Sequence, residues 1–70
     1  MQEFSLQEHE YIPLCDLLKV LNLCQSGGQA KMLISEGAVK VNGQVELRKR
    51  CKLRIGDIVQ ISGQTVTVIA

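Results

Sequence analysis

The sequence predicts an α+β domain in which two short helices pack on one face of a small antiparallel β-sheet. Apolar residues recur at helical spacing from Leu14 to Ile34, and the spacing changes to strict alternation from Val39 onward. Turn-forming pairs then punctuate the second half at Asn42-Gly43, Gly56-Asp57 and Ser62-Gly63. At 70 residues the chain holds one domain. A domain of that size buries only about 60% of the surface its unfolded chain exposes, so the core is small. A hydrophobic share of 46% is ordinary for a folded chain and too high for a disordered one.

The elements follow in order. Residues 1–12 are expected to form an N-terminal arm or edge strand, with Phe4 and Leu6 alternating around Ser5, and residues 13–70 form the domain. Leu14, Leu17, Leu18 and Leu21 lie at i, i+3, i+4 and i+7, one stripe of a helix of roughly ten residues. Pro13 suits its first turn, where a missing N–H costs nothing. Asn22 marks its end, and Leu23 folds back onto the core. Ser26 and Gln29 have the S-x-x-Q spacing of a capping box, each side chain satisfying a free N–H of the other residue. Ala30, Leu33 and Ile34 supply the inner face of this second helix, and Gly37 stands where a left-handed C-terminal cap is wanted.

Val39 and Val41 open the first hairpin strand. Parity favours a three-residue, bulged turn at Asn42-Gly43, because it sets Val41 opposite Val45 and keeps both on the apolar face. Beyond it, Leu47, Cys51, Leu53 and Ile55 hold odd positions while Arg48, Arg50, Lys52 and Arg54 hold even ones. If this stretch is extended, the four bases share one face. A turn at Gly56-Asp57, a strand over residues 58–61, a turn at residues 62–64 and a strand over residues 65–69 complete the sheet.

Function is read from charge. Net charge is only +1, but its distribution is uneven. Residues 1–30 carry one base against four acids, a balance of −3, and residues 31–54 carry seven bases against two acids, a balance of +5. Clustered charge can raise a strong local potential on a nearly neutral domain. Catalysis finds no support: His9, the only histidine, lies in the arm far from Cys15, Cys24 and Cys51, so no nucleophile has an evident base. The cysteine spacings contain no close ligand pair for zinc. No cofactor, metal or small-molecule substrate is expected.

Three cysteines cannot all pair within one chain. With an acidic N-terminus lacking an apolar stretch, this points to the reducing cytoplasm and free thiols. No apolar run approaches the ~20 residues that span a bilayer. A monomer is expected.

The basic stretch suits phosphate, since the arginine fork matches phosphate oxygens better than an ammonium does. With Phe4 and Tyr11 the only aromatics, stacking of single-stranded bases is not the expected mode. What remains is shape and backbone recognition of structured RNA. Ser26, Gly27 and Gln29, at a helix start with free N–H groups, are a secondary anion contact. A protein–protein adaptor using the acidic N-terminal third is the alternative.

The run from Ala30 to Gly43, AKMLISEGAVKVNG, resembles the signature of the ribosomal protein S-four type RNA-binding domain, also called the αL motif. Gly56-Asp57 with Ile58 resembles the family's later G-D-x-I element, and the Leu14–Leu23 helix resembles its first helix. The likeness covers about residues 13–62, and the chain is similar to small stand-alone bacterial members. It implies an α+β fold and binding of structured RNA, of ribosomal or transfer type, by the helical pair and the adjoining sheet edge. Family members often begin the second helix with Ser-Arg, where this chain has Ser26-Gly27. Lys31 is kept, and the Arg48-Lys49-Arg50 run is expected to replace the missing arginine. The expected contacts are Lys31, Lys40, Arg48, Lys49, Arg50 and Lys52, with Ser26, Gly27 and Gln29 beside them.

Overall fold

Alternation in the second half of the chain builds a sheet, and the two helical stripes of the first half cover its apolar face. A computed structural model describes residues 2–70; Met1, the first residue of the expected arm, lies outside the described residues. The chain runs β1 (Gln2–Ser5), β2 (Ile12–Pro13), α1 (Leu14–Val20), α2 (Gly27–Ser35), β3 (Val39–Val41), β4 (Gln44–Val45), β5 (Lys52–Leu53), β6 (Ile58–Ile61) and β7 (Gln64–Ile69). Five strands form one sheet in the order β1-β7-β6-β3-β4, and β2 and β5 pair as a separate short ladder. The sheet is antiparallel except at one edge, where β1 runs parallel to β7 with Phe4 opposite Val68. A parallel partner needs a long crossover, and here the rest of the domain supplies it.

Leu14, Leu17 and Leu18 of α1 and Ala30 and Ile34 of α2 are buried against Val39, Val59, Ile61, Val66 and Val68 of the sheet. Leu53 of the short ladder closes the core, and Phe4, Leu21, Leu23 and Leu33 pack on its margin.

Both helices end in the same way. After α1, Leu23 N–H donates to Leu18 O and Asn22 N–H to Lys19 O, with Asn22 left-handed at φ 59°. After α2, Ala38 N–H donates to Leu33 O and Gly37 N–H to Ile34 O, with Gly37 at φ 79°. These are Schellman closures, which satisfy the last carbonyls and stop each helix. They correct the length expected of α1: it has seven residues rather than about ten, because the closure begins at Leu21. Pro13 lies before the first helical residue, extended at ψ 142°, and pairs with Lys52 in the short ladder.

The first hairpin differs from expectation. Its loop has two residues, so Val41 faces Gln44 and Lys40 faces Val45. Asn42 at φ 53° and Gly43 at φ 85° give the left-handed pair of a type I′ turn, whose twist matches the strands. That local preference outweighs burial of one valine, and Val45 is left 52% exposed. The β6–β7 turn is likewise only Ser62-Gly63, and Gln64 already pairs with Ile61.

The stretch from Leu47 to Ile55 is not a continuous strand, and its even-numbered bases do not share a face by alternation. Only Lys52 and Leu53 are paired, with Pro13 and Ile12. Before them the chain turns, Cys51 N–H donating to Arg48 O. Pro13 gives α1 no side-chain cap, and the turn supplies acceptors in its place. Leu14 N–H donates to Cys51 O at 2.9 Å and Cys15 N–H to Lys49 O at 3.1 Å. An unsatisfied helix start is costly, so the backbone bends to serve it. Leu47 and Ile55 consequently lie 58% and 64% exposed.

Candidate nucleic-acid interface

Capping of α1 by the residue 48–51 turn fixes where the basic residues go. With its carbonyls on the first turn of α1, Arg50 comes to line a cleft with Pro13, Cys15, Asp16, Lys19, Gly27 and Lys31, about 250 Å³ in volume. Three cations from α1, α2 and the turn thus converge on one hollow against a single carboxylate, Asp16. Lys19 belongs to none of the expected contacts. Its aliphatic stem lies beside Gly27, 3.9 Å from where a Cβ there would stand. Its place was recoverable in part, since Asp16 and Lys19 are i, i+3 neighbours on the exposed face of the helix, opposite the leucine stripe.

The remaining predicted residues scatter around this centre. Ser26 caps α2, its hydroxyl accepting from Gln29 N–H at 3.2 Å. The reciprocal half of the capping box is shifted by one residue, for the Gln29 side chain accepts from Gln25 N–H instead of Ser26 N–H. Gln29 is therefore occupied in shaping the helix start. Lys49 is exposed on the turn. Lys52 and Arg54 lie over the ring of Tyr11, at 5.0 and 5.9 Å from its centroid, a cation–π contact that carries them along the short ladder. Lys40 is separate: it faces Gln60, which faces Thr65, on the side of the sheet away from the helices, where these residues line another hollow.

Arg48 is engaged within the chain. Its Nε donates to Glu46 Oε2 at 2.9 Å and its Nη2 to Oε1 at 3.1 Å, while its backbone N–H also donates to Oε2 at 3.0 Å. These bonds to Arg48 hold the Glu46 carboxyl down at about 2, well below its ordinary value. The Cys51 thiol, 3.8 Å from Arg48 Nη2, is pushed up by burial and then by the Glu46 charge.

Asn42 and Asp57 join two turns near the sheet edge. Asn42 Nδ2 donates to Asp57 Oδ1 at 3.1 Å, Ile58 N–H donates to Asn42 Oδ1 at 2.9 Å, and Arg54 N–H donates to Asp57 Oδ2 at 2.8 Å. Asn42, Gly43, Gly56 and Asp57 are thereby architectural. Among the described residues no group of three or more His, Cys, Asp or Glu could hold a metal ion. No helix there is long and apolar enough to cross a membrane.

This arrangement, a helical pair ending on a β-hairpin with Ala30 to Gly43 at its centre, matches a known family model, described as the S4 domain, over residues 4–69. The chain belongs to the S4 domain family. An S4-family relative, Escherichia coli (strain K12) "Putative RNA-binding protein YbcJ", is 51% identical over the full length of both chains. The solution structure of the E. coli protein, described as having an αL motif involved in RNA binding, is similar with a TM-score of 0.77 over all of this chain and 89% of that one. A Bacillus subtilis (strain 168) protein named "Probable ribosome maturation protein RlbA" is 44% identical over 54 residues, 77% of this chain and 76% of its own. The crystal structure of 30S ribosomal protein S4e from Thermoplasma acidophilum shares the S4 fold, at 22% identity and a TM-score of 0.68, over 83% of this chain and 31% of that one. The α+β fold expected from the sequence, two short helices on a small sheet, is the fold of this S4 family member, with the parallel β1–β7 edge as its one departure from the antiparallel sheet expected.

Proposed function

We propose that the protein is a non-catalytic RNA-binding module that docks on structured RNA through backbone phosphates. The convergence of Lys19, Lys31 and Arg50 on one cleft carries this reading. Three cations around a hollow open at the first turn of α2 form a site for an anion rather than for a neutral small molecule. Lys49 and Lys52 extend the positive surface along the turn and ladder, and Lys40 is an outlying contact on the far side of the sheet. The chain has one tyrosine, one phenylalanine and no tryptophan, so recognition rests on phosphate position and RNA shape, not on stacked bases. The RNA-binding name of the E. coli relative, and the αL motif described in its solution structure, support the class of partner. The B. subtilis relative's name, a ribosome maturation protein, supports ribosomal RNA as the form of it.

Binding of a fluorescein-labelled RNA stem-loop, followed by anisotropy across a salt series, tests the reading. One phosphate contact from each of Lys19, Lys31, Lys49, Arg50 and Lys52 gives a log–log salt slope of roughly −3.5 to −4.5, at about −0.7 per contact on single strands and −0.9 on a duplex. Alanine at Lys19, Lys31 and Arg50 together is expected to lower affinity and flatten that slope while the circular dichroism spectrum holds. Unchanged affinity in the folded triple variant, or a flat salt response of the unsubstituted chain, overturns it.

A further inference from the structure

Glu46 is an acid in the middle of the most basic segment of the chain, and the RNA-binding reading above leaves it without a purpose. Coulomb's law alone makes it a liability, since a carboxylate beside the docking surface repels phosphate. Its geometry says otherwise. One carboxylate accepts three hydrogen bonds from Arg48, two from the guanidinium fork and one from the backbone N–H, at 2.9, 3.1 and 3.0 Å. Its side chain is only 16% exposed, although that of Arg48 is 78% exposed. Behind it, Glu46 N–H donates to Val39 O at 3.0 Å, which ties it to β3. In front of it, Arg48 O accepts from Cys51 N–H, and the turn so closed offers Lys49 O and Cys51 O to the first N–H groups of α1. A continuous series of hydrogen bonds thus runs from the sheet through Glu46 and Arg48 to the helix start, and Arg50 stands on that turn at the edge of the cleft.

We infer that Glu46 and Arg48 form a clamp that positions the cationic turn, so that an acidic residue is required for the binding of an acidic polymer. Arg48 is then a positioning residue that acts through the turn, and Lys49 and Arg50 are the cations it presents. A lone exposed ion pair contributes little, but here the same carboxylate also holds backbone, and a forked pair is geometrically selective in a way a point charge is not. This inference rests on the RNA-binding reading.

The two views predict opposite signs. Glu46→Gln removes a negative charge next to the docking surface, so charge counting predicts tighter binding of the labelled RNA stem-loop. The clamp predicts weaker binding, by roughly fivefold to tenfold, the net effect of about one ordinary intramolecular hydrogen bond. Arg48→Lys keeps the charge and loses the fork, and is expected to weaken binding to the same degree. The structural readout is amide hydrogen exchange by NMR. The Leu14 and Cys15 amides, which donate into the turn, exchange faster in both variants, while the Val59 and Val66 amides of the sheet keep their protection and show the fold intact. Equal or tighter binding by Glu46→Gln, or unchanged exchange at Leu14 and Cys15, overturns the clamp. If the unsubstituted chain binds no RNA, the RNA-binding reading fails, and with it the role of the clamp in binding; the exchange result then decides separately whether Glu46 orders the turn.

Discussion

A glutamate whose carboxyl sits at about 2 carries a pH dependence with a definite sign. The folded value is below the ordinary 4.5, so the carboxylate is favoured by the fold, and its contribution is fully present above about pH 4.5. It is lost as pH falls from there through about 2. Direct titration of the Glu46 side-chain carboxyl by NMR should therefore show a midpoint far below the ordinary 4.5, with the Leu14 and Cys15 amides losing protection over the same range. A midpoint near the ordinary value would contradict the hydrogen bonds seen with Arg48. At this scale the sequence was legible for chemistry and poor for partnership. The bases were visible as bases, but nothing in local order showed that Arg48 is held by Glu46 or that Lys52 and Arg54 cover Tyr11. Those pairings depend on a turn made to serve a helix elsewhere in the chain, and on an arm about forty positions away.

At the scale of elements, caps and turns decide the outcome. Ser26→Ala removes the acceptor for Gln29 N–H and is expected to cost about 1 kcal/mol, measured as a lower urea midpoint at unchanged slope. Gly37→Ala is also expected to cost about 1 kcal/mol, from backbone strain at positive φ. The added methyl itself would meet only Val45 Cγ1 at an ordinary 3.6 Å. If Gly37→Ala were neutral, the left-handed closure of α2 would be wrong. Both features were readable from sequence, as were both helices and the final hairpin, because each depends on residues within a few positions of one another. The first hairpin departs from the three-residue loop expected, because the intrinsic fit of Asn42-Gly43 to a two-residue turn outweighs burial of Val45. The residue 47–55 stretch departs from a continuous strand for a related reason: alternation is a signal of strand only where a partner strand exists, and Ile12–Pro13 pairs with no more than two of its residues.

For the molecule as a whole, the small core sets the margin. A chain of 70 residues has a stability of roughly 4–10 kcal/mol, so single core positions weigh heavily. Leu53 is fully buried and belongs to a two-residue strand, the only apolar residue the short ladder sends fully into the core. Leu53→Ala is expected to cost about 2–5 kcal/mol, enough to bring the domain near its unfolding threshold, with a large fall in thermal midpoint. A loss below 1 kcal/mol would mean the ladder is peripheral to the core. The sheet has one further consequence. Its first strand lies beside its last, and Ser5 Oγ donates to Ala70 O at 2.7 Å. During synthesis β1 leaves the ribosome first, yet its partner is the final segment of the domain to be translated. At 5–20 residues per second that wait lasts roughly 3–13 s, through which the helices and inner strands can already associate. The nascent domain therefore spends most of its making with one sheet edge open, and is sealed only when β7 clears the tunnel.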